Sequence, residues 1–132
     1  MSDGLKELQE LTKKLPSIDY VLNKNASIVE YPTIVGTCFG FPLFRNDKVS
    51  IQRAFLSKGT IYPEHTHTGS TEYYILYKGL IAYRDHTTDK IKHLRPGDSI
   101  KVDVNQNHSL HALEDSEIVV VRVPPDSAYP DF

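Results

Sequence analysis

The 132-residue sequence has no tryptophan and a single cysteine, Cys38. One thiol cannot close an internal disulfide, so packing and hydrogen bonds must hold the fold, and a cytoplasmic location is expected. Cys38 itself reads as a small buried hydrophobe. Basic clustering is also missing. No basic run exceeds the pair Lys13-Lys14 and the net charge is −2 with histidine neutral, so no nucleic-acid partner is expected. No apolar stretch is long enough to span a bilayer, and Met1 to Gly4 leads into alternating charge and leucine instead of an apolar signal core. These absences leave a single compact globular domain as the default.

Aromatic residues are supplied by 8 tyrosines and 5 phenylalanines. Together with frequent Val and Ile, that bias leans towards β-structure. The first segment differs. Leu5, Leu8, Leu11 and Leu15 recur every three to four residues, which predicts a helix over residues 3–15, capped by Ser2 or Asp3 and ended by Pro16. A second short helix is expected around Ile18 to Leu22 and a short strand at Ile28-Val29. Pro32, Gly36, Gly40 and Pro42 then predict short strands and loops up to residue 47. From residue 48 short apolar runs alternate with turn residues. The runs are 49–56, 72–77, 80–83, 90–94, 99–102, 108–113 and 117–123. Lys58-Gly59, Lys78-Gly79, Asp85 to Asp89 and Arg95-Pro96-Gly97-Asp98 separate them, a spacing that predicts an all-β sandwich or barrel. The organisation expected is one domain: a flanking helix and strands over 1–47, a barrel core over 48–123, and a C-terminal arm over 124–132.

The chemically informative stretch runs from Gly59 to Glu72. In a strand, residues two apart share a face, so His65 and His67 are expected to project together. Glu72 has the wrong parity for one continuous strand, so a turn through Thr68-Gly69-Ser70-Thr71 must bring its carboxylate back beside the imidazoles. His108, which opens a strand after the polar loop 103–107, is the best candidate for a fourth ligand. His111 is its rival but has the opposite parity. His86 and His93 are expected to be solvated. Three imidazoles and a carboxylate suit one divalent ion such as Fe, Mn, Ni, Co or Zn.

These residues resemble the cupin superfamily. Its first motif is glycine, five residues, His-x-His, three or four residues, glutamate, six residues, glycine. Gly59, His65, His67, Glu72 and Gly79 match every position. In the second motif Gly97 and His108 match, whereas Asp103 stands where proline is usual, Asn105 where glycine is usual and Ala112 where asparagine is usual. Asparagine tolerates the left-handed backbone that such a glycine supplies. The resemblance implies a jelly-roll barrel of six to eight strands in two sheets, with the metal inside near one mouth, in a chain that forms a homodimer.

Two further residues are candidates for catalytic roles. Tyr74 shares the parity of Glu72 and is a candidate cavity hydroxyl or a packing residue. Arg53, in mid-strand, reads either as a grip for a substrate carboxylate or as an outward charge. Tyr62, Tyr73, Tyr77 and Tyr83 read as packing residues. The activity expected is that of a metal-dependent enzyme on a small oxygenated metabolite, dioxygenase-like with a redox-active ion or isomerase- or lyase-like with a silent one. The reading from a different class is a non-catalytic module that binds a small molecule or senses metal.

Overall fold

The computed structural model describes residues 28–125. The helices expected over 3–15 and 18–22 lie outside the described residues, as does the arm beyond Pro125. The described chain forms ten strands and no helix: β1 (Val29–Tyr31), β2 (Cys38–Arg45), β3 (Ser50–Leu56), β4 (Ile61–His65), β5 (Thr71–Lys78), β6 (Ile81–Asp85), β7 (Lys90–Leu94), β8 (Ser99–Val102), β9 (His108–Ala112) and β10 (Ser116–Val123). They make two antiparallel sheets, one in the order β1-β2-β3-β10-β5-β8 and the other in the order β4-β9-β6-β7. The barrel therefore has more strands than the six to eight expected.

Alternation explains which sheet face is inside. On β5, Glu72, Tyr74 and Leu76 are buried while Tyr73, Ile75 and Tyr77 are exposed. The adjacent strands keep the same phase, with Ile118, Val120 and Arg122 buried on β10 and Gln52, Ala54 and Leu56 buried on β3. Opposite them, Ile81, Tyr83, Leu94, Leu110 and Ala112 of the smaller sheet complete the core.

Residues 32–47 depart from the expectation of short strands and loops. β2 runs for eight residues through both Gly40 and Pro42. Gly40 fits because a side chain there would crowd the barrel: a Cβ would stand 2.6 Å from Gln52 Oε1 and from a Tyr31 ring carbon. Pro42 fits because the β2–β3 register slips between Pro42 and Phe44, and a bulge tolerates a residue that cannot donate to the ladder. Gly79 closes β5 with φ +95°, and a Cβ there would meet the Asp115 carbonyl oxygen at 2.5 Å. No helix among the described residues is long and apolar enough to cross a membrane.

Candidate metal centre

His65 ends β4 and pairs in register with His108, the first residue of β9, so the smaller sheet places two imidazoles side by side. Their ring centroids are 4.1 Å apart. His67 lies beyond the end of β4, in the loop that leads to β5. Strand parity therefore does not bring it to the site, contrary to the sequence expectation. The loop does so instead, held by the backbone N–H of Asn105, which donates to the His67 carbonyl oxygen at 2.8 Å. Asn105 adopts φ +65°, the left-handed conformation expected of a residue standing where glycine is usual. Glu72 comes from β5 in the larger sheet. Its Oε2 lies 3.3 Å from His67 Nε2 and its Oε1 3.5 Å from His108 Nε2.

One ligand atom from each of His65, His67, Glu72 and His108 lies within 4.8 Å of the other three. His67, Glu72 and His108 are at most 1% exposed. Hydrogen bonds orient two of the rings. His65 Nδ1–H donates to the Pro63 carbonyl at 2.8 Å, and His108 Nδ1–H donates to the Gln106 carbonyl at 2.9 Å. A carbonyl only accepts, so in the neutral rings Nε2 is left as a lone pair. Such backbone ties on the outer nitrogen are what metal-ligating histidines use.

On the other side, Glu72 Oε1 is buried with no hydrogen-bond donor. Acceptors thus converge on acceptors in a buried pocket, an arrangement that a cation relieves. The donor set of three nitrogens and one carboxylate oxygen suits a divalent ion of intermediate softness. Burial, followed by the charge of His108, pushes the His65 imidazole down to about 4, so it stays neutral and able to ligate at pH 7. Burial alone would raise the Glu72 carboxyl. The close approach of His108 and His67 and the charge of Arg122 outweigh it and hold Glu72 well below the usual carboxylate range.

Arg122 was not singled out from the sequence. It pairs in register with Glu72 across β10 and β5, and its Nε donates to Glu72 Oε2 at 2.7 Å. The signal was available: 118, 120 and 122 form one inward row, and a charged residue ending an inward row needs a partner inside. Tyr74 does reach the centre, where its hydroxyl donates to His108 Nε2 at 3.1 Å in the neutral ring. Burial first, then the charge of Glu72, holds the Tyr74 phenol well above its usual value, so it remains a proton carrier. Tyr62 packs edge-on against His65, and Tyr83 stacks on His108 at 5.9 Å.

Arg53 is elsewhere. It lies on the outer face, hydrogen-bonded to the Tyr77 hydroxyl at 3.0 Å and paired with Glu117 at 3.5 Å. Tyr73 and Tyr77 are also on that face, half exposed instead of packed inside. His111 and His93 are exposed. His86 is not solvated as expected. Its Nε2 meets Ser109 Oγ at 2.7 Å and its Nδ1 meets Glu64 at 3.4 Å, because the chain past β6 stays alongside the start of β9, with His86 N–H donating to the Asn107 carbonyl at 2.9 Å. Cys38 is buried, and its thiol is pushed up to about 12 by burial.

Solved structures share this architecture. An RmlC-like cupin from Shewanella frigidimarina superposes with a TM-score of 0.69 at 18% identity, covering 80% of this chain and 90% of its own. The fold is that of the cupins. KdgF from Halomonas sp. matches with a TM-score of 0.67 at 16% identity, covering 76% of this chain and 89% of the other. A predicted oxalate decarboxylase from Thermotoga maritima matches with a TM-score of 0.67 at 19% identity, covering 77% and 96%. No protein-family model and no curated protein matches the sequence.

Proposed function

We propose that the chain is a metal-dependent enzyme acting on a small oxygenated metabolite, with His65, His67, Glu72 and His108 as the metal ligands. The observation that carries this reading is the buried convergence of three imidazoles and an unpartnered carboxylate oxygen, all within 4.8 Å. When bound, a divalent ion supplies a Lewis-acid centre that holds substrate oxygens and stabilises charge developing on them. The protein residues do the rest. The carbonyls of Pro63 and Gln106 fix the His65 and His108 rings, and the Asn105 amide fixes the loop that carries His67.

Tyr74 supports turnover over simple binding. Its phenol is a protonated group within hydrogen-bond reach of the centre, positioned to give or take a proton on a bound oxygen. One of the similar folds is named a predicted oxalate decarboxylase, which is consistent with an enzyme but does not choose the reaction.

The test is metal content followed by turnover. Purified protein should hold one divalent ion per chain, and Tyr74→Phe should keep the ion while reducing turnover about 100-fold, the scale of a lost general acid or base. Screens of the Fe(II) form by oxygen uptake and of the Zn(II) or Mn(II) form by product NMR would locate the reaction. Protein that refuses every ion at neutral pH would sink the proposal. Full metal loading with no turnover across both screens would favour the sensing module.

A further inference from the structure

The outer face of the smaller sheet carries a group of polar side chains that the metal centre does not use. Side chains alternate along β9, so His108 points into the barrel and Ser109 points out of it. β9 lies between β4 and β6, and each neighbour brings one side chain towards the serine. Glu64 comes from β4, and His86 follows the end of β6.

His86 joins the three. Its Nε2 lies 2.7 Å from Ser109 Oγ, and its Nδ1 lies 3.4 Å from Glu64 Oε2. A carboxylate only accepts, which puts the ring hydrogen on Nδ1 and leaves the Nε2 lone pair for the serine hydroxyl. All three are held from behind. Asn107 Nδ2 donates to Glu64 Oε1, the His86 backbone N–H donates to the Asn107 carbonyl at 2.9 Å, and Ser109 stands on a strand paired on both sides. The His86 and Glu64 side chains are 19% and 52% exposed, so the group is open from outside the barrel.

A hydroxyl bonded to an imidazole that is backed by a carboxylate is the arrangement that turns serine into a nucleophile. It is defined by roles and distances, not by chain order or fold. The 2.7 Å contact is already at working length, and the 3.4 Å contact is of the looser kind that tightens when substrate binds. Arg84, bonded to Asp89, stands opposite Ser109 in the β6–β9 register. It brings a cation to the same face for charge that develops on a carbonyl oxygen.

We propose that Ser109, His86 and Glu64 form a second reactive site, separate from the metal ligands, that hydrolyses small carboxylic esters through an acyl-serine. Ser109 Oγ adds to the ester carbonyl carbon while its proton passes to His86 Nε2. The bond to the alcohol oxygen breaks, and the alcohol leaves with that proton. Water then adds to the acyl-serine and gives a proton to His86. The acid departs as Ser109 regains its hydrogen, so ester plus water becomes acid plus alcohol. Glu64 touches no reacting atom and is a positioning residue.

The test uses the full chain with EDTA present, which keeps the metal centre out of the assay. Wild type should turn over p-nitrophenyl acetate. A fluorophosphonate, which bonds through phosphorus to an activated serine and expels fluoride, should label Ser109, as located by tandem mass spectrometry. Ser109→Ala should lose the label and, like His86→Gln, lower turnover at least about 100-fold. Glu64→Gln should lower kcat about tenfold at unchanged KM, the mark of a lost orienting contact and not of lost binding. His111→Ala, on the same strand and face, should behave as wild type, which controls for reaction at an exposed imidazole. Wild type that takes no label on Ser109 would overturn the proposal without any variant having to fold. So would Ser109→Ala that turns over at the wild-type rate, or turnover lost with His111 instead. A raised KM at unchanged kcat would remove Glu64 from the site. Each of these results leaves the metal reading untouched.

Discussion

Replacing Arg122 with methionine separates the roles of the cross-strand pair. The Arg122 side chain is 6% exposed and Glu72 is 0% exposed, with 2.7 Å between Nε and Oε2. Methionine is similarly long and flexible, so the change removes charge and hydrogen bond more than volume. Deleting one partner of a buried ion pair costs about 3–5 kcal/mol, most of it the penalty on the carboxylate left behind. For a domain of this size that lowers the melting temperature of metal-free protein by roughly 10–20 °C. The same change releases Oε2 of Glu72 and removes a positive charge beside the ligands. Mn(II) should then bind at least about tenfold tighter, and the rise in melting temperature on adding Mn(II) should be larger in R122M than in wild type. Thermal melts by circular dichroism with EDTA or with saturating Mn(II), combined with calorimetric titration, measure both effects. If EDTA-treated R122M melts within a few degrees of wild type, or if Mn(II) binds it more weakly, the picture of a guanidinium that shares Glu72 with the metal is wrong.

Other consequences are open to direct measurement. His67→Ala should lower metal affinity by more than about 100-fold, since loss of an outer hydrogen-bond partner alone costs 10–100-fold, while its far-ultraviolet spectrum stays that of the wild type. Metal-free protein should lose stability as pH falls from 6.5 towards 4. Folded His65, pushed down to about 4, stays neutral there while the unfolded histidine takes up a proton, at a cost of about 3 kcal/mol at most. Depression of the Glu72 carboxyl extends the loss below that window, and denaturant midpoints that stay flat between pH 7 and 4.5 would contradict the burial of His65. Gly79→Ala should destabilise the barrel by more than about 2 kcal/mol, because a Cβ at φ +95° meets the backbone of Asp115 and Ser116; an unchanged urea midpoint would count against this.

Much of this is legible in the sequence. Alternation on β5 and β10 and the glycines after β3 and β5 mark strands and turns because both are local properties of a few residues. The four candidate ligands stood out through spacing, and the left-handed Asn105 through its place in a loop that usually carries glycine. What escaped depends on register between distant strands. Parity places Arg122 inside but does not say that Glu72, fifty residues earlier, stands opposite it, and the same holds for Gln52 and Tyr31. Strand parity does not carry His67, because the residue stands in a loop whose tie to Asn105 is not visible in the local sequence. β2 escaped because Gly40 and Pro42 read as breakers until the Tyr31 ring and the bulge that accommodate them are seen.

The single hydrogen bond from Asn105 to the His67 carbonyl has a kinetic meaning. It ties the loop between β4 and β5 to the loop between β8 and β9, so the segments that carry His67 and precede His108 move as one flap or not at all. A backbone bond of this kind is worth about 1 kcal/mol, far less than unfolding a sheet. Parting it would loosen the loop that carries one imidazole, while His65, Glu72 and His108 stay on their strands. Ions could then enter and leave on the time scale of a loop opening while the barrel remains folded.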